Sequence, residues 1–177
     1  MSLDHFMQIR SSLHFVDEKD CNKEDFLYKV RDLVNYFITV SRSLYIPEQM
    51  LTIDESMIRF NGRSNFKVYM PLKPIKYGFK AYVLAEASTG FVLSWELHDG
   101  RNTSLLNILD SLTSAFANQG YRISMGGFYT TLTIVEHLTN NGFEVLGTIM
   151  SNRAKLSQEI KDKSQKLKKG ESNFYCS

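Results

Sequence analysis

Two apolar runs, residues 77–87 and 91–97, are separated by Ser88-Thr89-Gly90 alone. Both carry β-branched and aromatic residues: Tyr77, Phe79, Tyr82 and Val83 in the first, Phe91, Val92 and Trp95 in the second. So short a connection joins antiparallel neighbours, because a parallel pair needs a crossover of a dozen residues or more. The hairpin thereby constrains everything around it. A strand over residues 50–60 precedes it and cannot begin before Pro47, which has no N–H to give a ladder. After the hairpin the apolar period lengthens. Leu105, Ile108, Leu109, Leu112 and Phe116 mark one face of a helix over 102–119, capped by Asn102 or Thr103 and closed by Gly120. A short strand follows at 121–125. A helix over 130–141 turns Leu132, Val135 and Leu138 inward, with Gly142 past its end, and a last strand spans 143–149. Strand, strand, strand, helix, strand, helix, strand is an α/β order. It predicts a mixed sheet in which an antiparallel hairpin adjoins strands linked by helical crossovers.

Two helices are expected before the sheet. One covers residues 1–15, with Phe6, Ile9 and Leu13 on a face and Ser2 or Asp4 as cap. The other covers 26–43, with Val30, Leu33, Val34, Phe37 and Ile38 as a broad stripe. A charged loop over 17–25 separates them. His5 and His14 are nine residues apart, which points to surface or core histidines rather than ligands. The chain divides into an N-terminal helical segment (1–47), a sheet-bearing core (48–150) and a basic C-terminal segment (151–177). Its 177 residues, 43% hydrophobic, suffice for one packed core and are too apolar for disorder. Cys21 and Cys176 have no zinc-finger spacing and make no disulfide framework, so a reducing, intracellular compartment is expected. There is no signal-like N-terminus, and no apolar run approaches the ~18 residues of a membrane span.

The chemistry concentrates in residues 51–74. A short apolar-leaning run delivers Asp54, and Glu55 follows. Next come Gly62-Arg63, then Phe66, Lys67 and Tyr69, then a proline-bounded exit at Pro71, Lys73 and Pro74. A strand-borne carboxylate beside a cationic loop suits a divalent metal and a phosphate together. Gly62 and Gly78 read as backbone positions, Gly62 because a turn there calls for positive φ. Arg63, Lys67, Lys73, Lys76 and Lys80 punctuate the segment, interleaved with Phe66, Tyr69 and Tyr77. Farther on, residues 152–170 carry a net charge of +5 and a weak apolar stripe of Leu156, Ile160 and Leu167. Such a run is either a solvated face or a phosphate contact.

Ile-Asp-Glu-Ser-Met (Ile53 to Met57), Gly62-Arg63, and Tyr-Met-Pro-x-Lys-Pro-x-Lys-x-Gly-x-Lys (Tyr69 to Lys80) resemble the core signature of piggyBac-type transposases. The resemblance runs along nearly the whole chain. It implies a ribonuclease-H-like fold, with Asp54 as the first of three acidic residues holding two metal ions, Mg²⁺ in the family. Where the family reads Asp-Asn, an aromatic, Tyr-Thr-Ser, this chain reads Gly126-Gly127-Phe128-Tyr129-Thr130-Thr131, so Gly126 stands at the second Asp. The third falls beyond Gly170-Glu171, past the last residue Ser177, as does the zinc module. The core is therefore expected to be truncated at its C-terminal side. After the fifth strand Gly147-Thr148 and Asn152-Arg153 match, while Ser157 stands near the family's proline.

The expectation is a degenerate transposase domain with Asp54 as a catalytic and metal-binding remnant, holding Mg²⁺ weakly or not at all. DNA would bind weakly and non-specifically through Arg63, Lys67, Lys73, Lys76, Lys80 and Arg153. The resemblance places it in the nucleus. The alternative is an active metal-dependent transposase or nuclease subunit in which Asp110 or Glu136 replaces the lost carboxylate.

Overall fold

β1 (Met50–Arg59) is the spine of a mixed sheet. One edge of β1 pairs antiparallel with β3 (Tyr77–Glu86), from Leu51↔Glu86 to Arg59↔Gly78. The other edge pairs parallel with β5 (Arg122–Met125), but only from Met50↔Arg122 to Ile53↔Met125. β6 (Glu144–Gly147) lies parallel beyond β5, and β4 (Val92–Leu97) pairs antiparallel with the outer edge of β3. The computed structural model describes residues 1–17, 19, 25, 27–98, 100, 104–150 and 169–171. Its ladder, β4–β3–β1–β5–β6, is the ribonuclease-H-like plan. A two-residue strand not expected from sequence, β2 (Val68–Tyr69), adds to the same edge of β3 as β4, at Tyr77 and Gly78.

The helices follow the sheet's alternation. Leu51 and Ile53 on β1, Leu84 on β3 and Ile123 on β5 point to one face and are buried. They meet Leu109 and Leu112 of α3 (Leu105–Thr113) and Leu138 of α4 (Leu132–Asn140) in a single core. Each such side chain contributes about 1.5–3 kcal/mol by leaving water. The expected helix over 102–119 is shorter than its apolar stripe: α3 ends at Thr113 and tightens into a 3₁₀ turn, Ser114–Phe116. α4 is capped by Thr131, whose hydroxyl accepts from the Ile134 N–H at 3.2 Å. It closes on Gly142 at φ +81°.

The N-terminal helices are shorter and barer than expected. α1 (Leu3–Ser12) is capped by Ser2, but Phe6, Ile9 and Leu13 are all exposed. α2 (Arg31–Leu44) starts five residues later than the stripe suggested. Of that stripe's α2 residues Val34 alone is buried, and Phe37 faces solvent. Periodicity registers an apolar face but not whether anything covers it. The junction to the sheet is built on Glu86, fully buried at the end of β3. Its carboxylate accepts from the Tyr45 hydroxyl at 2.6 Å, the Glu48 N–H at 2.6 Å, and the hydroxyls of Ser88 and Thr89. Tyr45 also stacks on Phe91, with centroids 4.2 Å apart.

The glycines divide. Gly62 has no positive φ, contrary to expectation; a Cβ there would instead strike the Phe60 ring at 2.6 Å. At Gly78 a Cβ would lie 2.0 Å from the Ile58 carbonyl oxygen, so β1 and β3 approach as closely as they do only because position 78 has no side chain. Cys21, Cys176, Asn102, Thr103, Arg153 and the basic stretch 152–168 lie outside the described residues. Among the described residues no helix is long and apolar enough to cross a membrane.

Candidate functional site

β1 outruns its parallel neighbour. Pairing stops at Ile53↔Met125, so Asp54 and Gly126 are the next residues on adjacent chains, side by side where the ladder ends. This is the carboxyl end of the parallel strands, where open α/β sheets bind ligands. Asp54 turns outward, its side chain 69% exposed, and its Oδ1 accepts from the Glu55 N–H at 2.8 Å. Gly126 is held firmly. Its carbonyl accepts from the N–H groups of Tyr129 and Thr130 at 3.1 and 3.2 Å, and from the Thr130 hydroxyl at 3.0 Å. A Cβ added at Gly126 would meet nothing within 4 Å.

Alternation sends Glu55 to the opposite face, where it is largely buried. Lys80 lies on that face too, because Glu55 and Met57 are paired with Tyr82 and Lys80. Its ammonium is 3.5 Å from Glu55 Oε1 and 4.6 Å from the ring centroids of both Tyr82 and Phe128. Tyr129 is buried beside this pair, its hydroxyl facing Glu55 without completing a hydrogen bond. Burial pushes the Tyr129 hydroxyl pKa up, and the carboxylates of Glu55 and Asp54 push it further the same way.

Lys73 bridges the two faces. Its Nζ donates to the Glu55 backbone carbonyl at 3.0 Å and lies 3.8 Å from Glu55 Oε2 and 3.9 Å from Asp54 Oδ1. Burial raises the Asp54 pKa. Hydrogen bonding with Glu55 and the ammonium groups of Lys73 and Lys80 outweigh it, and the net direction is down. Asp54 is therefore a carboxylate at neutral pH, already facing a tethered cation.

The donor set decides what ion it suits. Two metal ions ~3.5–4 Å apart need carboxylates from both strands. Here β1 supplies Asp54, and the chain leaving β5 supplies a glycine. Among the described residues no three His, Cys, Asp or Glu side chains gather into a metal site. Asp110 of α3 is engaged elsewhere, its Oδ1 2.6 Å from His137 Nε2 of α4. Glu136 faces solvent from α4. Among the described residues, one carboxylate with an ammonium at its side does not fit a two-ion centre.

The remaining cations lie farther along. Arg63 and Lys76 are exposed, in the connections on either side of β2. Lys67 Nζ donates to the Gly62 carbonyl at 3.1 Å and lies 6.0 Å above the Tyr77 ring. Sequence reasoning missed Arg59, exposed at the end of β1, and the hub formed by Glu55. The signal for the first was present, since residues 56–85 contain no Asp or Glu. The signal for the second was the period of two, which must separate adjacent carboxylates onto opposite faces.

A family model described as Transposase IS4 matches residues 1–176. The chain belongs to that family and is of the piggyBac type. Among curated proteins, this piggyBac-type domain is similar to the human PiggyBac transposable element-derived protein 3. Identity is 25% over 161 residues, covering 84% of this chain and 27% of that protein. It is likewise 25% identical to the human chimeric ERCC6-PGBD3 protein, over 84% of this chain and 15% of that one. The domain thus spans about a quarter or less of the curated relatives it matches. Among solved structures it resembles a piggyBac transposase synaptic complex with hairpin DNA. The TM-score is 0.83 at 23% identity, covering 94% of this chain and 37% of that one, a likeness of fold.

Proposed function

We propose that this piggyBac-type domain holds DNA by its phosphates, weakly and without sequence preference, and does not cut it. The observation that carries the reading is Gly126 beside Asp54, a position with no ligand atom where a two-ion centre needs one. Phosphodiester cleavage needs an activated nucleophile and a stabilised leaving oxygen, roles that paired ions perform together. A lone Asp gives Mg²⁺ little reason to shed its waters. Support for the DNA partner comes from the piggyBac structure with hairpin DNA and from the acid-free run carrying Arg59, Arg63, Lys67 and Lys76. With DNA as its partner, the proposed location is the nucleus.

The experiment has two arms. Purified protein is incubated with Mg²⁺ or Mn²⁺ and labelled hairpin or terminal-repeat DNA, with Asp54→Ala as control. No specific nicking is expected; nicking that disappears in Asp54→Ala overturns the silent reading. Fluorescence anisotropy against salt tests the binding. Dissociation constants of ~10⁻⁴–10⁻⁶ M near physiological salt are expected, with affinity falling steeply as salt rises. Charge reversal at Arg63 or Lys76 lowers the salt slope by about one for each phosphate no longer neutralised. Binding that is absent at low salt, or indifferent to those changes, retires the DNA partner.

A further inference from the structure

β2 is only two residues long, yet it carries an aromatic pair. Tyr69 is directly opposite Tyr77 in the β2–β3 ladder, and their rings stack with centroids 4.6 Å apart at 27°. Both residues are 55% exposed, with Lys67 Nζ 6.0 Å from the Tyr77 ring centroid. Two residues along β3 on the same face, Phe79 packs on Phe60 at 4.7 Å. The face is also that of Asp54, because Asp54 is paired with Val83, and Val83, Phe79 and Tyr77 are separated by even steps. The six residues from Val83 to Tyr77 put the tyrosines about 20 Å from Asp54 along the strand. Along the chain from residue 56 to 85 the charge has one sign: Arg59, Arg63, Lys67 and Lys76 lie in a stretch without any Asp or Glu.

An open aromatic stack rimmed by cations matches unpaired nucleotides. Bases stack on exposed rings irrespective of sequence, while lysine and arginine follow the phosphates. A duplex offers phosphates to such a surface, but its bases are already stacked on each other. We propose that Tyr69 and Tyr77 form a base-stacking platform for single-stranded DNA, with Lys67, Lys76 and Arg63 holding the adjoining phosphates. This rests on the reading that the chain holds DNA, and adds which form of DNA this surface prefers.

The test uses the whole chain and a single-stranded oligonucleotide of about 12 nucleotides, with one 2-aminopurine near its centre and its fully paired duplex as comparison. The single strand is expected to bind more tightly than the duplex, with 2-aminopurine fluorescence quenched by stacking. Tyr77→Ala and Tyr69→Ala are each expected to weaken single-strand binding about fivefold or more and to relieve the quenching. Tyr77→Phe and Tyr69→Phe keep the rings and should behave as wild type, which separates stacking from a hydroxyl contact. Thermal melting of each variant identifies those that stay folded. Should the alanine variants unfold, Tyr→Leu replacements at the same positions retain apolar bulk without a π-face and are expected to lose the quenching. Equal affinity for both DNA forms with no dependence on the tyrosines overturns the platform and leaves the phosphate reading standing. Failure to bind either form overturns both.

Discussion

The Lys73 ammonium lies 3.9 Å from Asp54 Oδ1 and is anchored by a 3.0 Å hydrogen bond to the Glu55 carbonyl oxygen. It therefore serves as a tethered counter-ion for the carboxylate at the end of β1. A divalent cation approaching Asp54 meets a like charge and must displace it. Removing that charge in Lys73→Met is expected to raise Mn²⁺ affinity on the order of tenfold, a modest gain because Asp54 is largely solvated. Electron paramagnetic resonance of free Mn²⁺ measures this directly. Unchanged affinity would show that the ammonium does not compete.

Gly126→Asp adds a carboxylate beside Asp54 in a position where a Cβ meets no atom within 4 Å. The folding cost is expected to stay below about 1 kcal/mol, as for an exposed substitution. Mn²⁺ affinity should rise, and more so when combined with Lys73→Met, since neighbouring substitutions at one site couple. Additive effects from the two changes would argue that the introduced carboxylate and Lys73 act at separate places.

Gly78 and Gly62 should respond very differently to alanine. At Gly78 the new methyl meets backbone, 2.0 Å from the Ile58 carbonyl oxygen, and the β1–β3 ladder must part. A loss above about 2 kcal/mol is expected. At Gly62 the obstruction is the far end of the Phe60 side chain, which can rotate away, and the loss should be under about 1 kcal/mol. Urea unfolding of the two variants compares them; equal losses would contradict the assigned geometry.

Acid should loosen the junction between the N-terminal segment and the sheet. Hydroxyls of Thr89 and Tyr45 and the Glu48 N–H hold the Glu86 pKa down to about 2, against an ordinary 4.5, with burial opposing them. Because the folded value is the lower one, the contribution to stability is complete above about pH 4.5. It is lost as pH falls from there toward about 2. Glu86→Gln keeps an acceptor but cannot titrate, so its stability should decline less across that window. Urea midpoints at about pH 6, 4 and 3 give the comparison. Parallel acid limbs for wild type and variant would exclude Glu86 as the titrating group.

The hairpin of β3 and β4, the crossovers through α3 and α4, and the start of β1 after Pro47 were all legible in sequence. Each depends on local rules: a three-residue connection, a change of period, and a proline that cannot donate to a ladder. The order of strands then left few sheets to choose from. β2 was not legible, because two residues make no pattern of their own and Val68 and Tyr69 are extended only by pairing with Gly78 and Tyr77. The bare face of α1 was misjudged for a related reason, since an apolar stripe records what a helix offers and not what packs on it.

The site shows the same division. Asp54 on a strand, a position 126 without a ligand atom, and a run over 56–85 with cations and no acids can all be read from residue order alone. Folding alone makes Asp54 and Gly126 neighbours, turns Lys73 and Lys80 back to Glu55 and Asp54, and stacks Tyr69 on Tyr77. Those relationships join residues separated along the chain, from Tyr69 opposite Tyr77 through 18 positions for Glu55 and Lys73 to the crossover that brings Met125 beside Ile53. They are fixed by strand register, and register is set by burying Leu51, Ile53, Leu84 and Ile123 in one core, a collective choice that no single segment encodes.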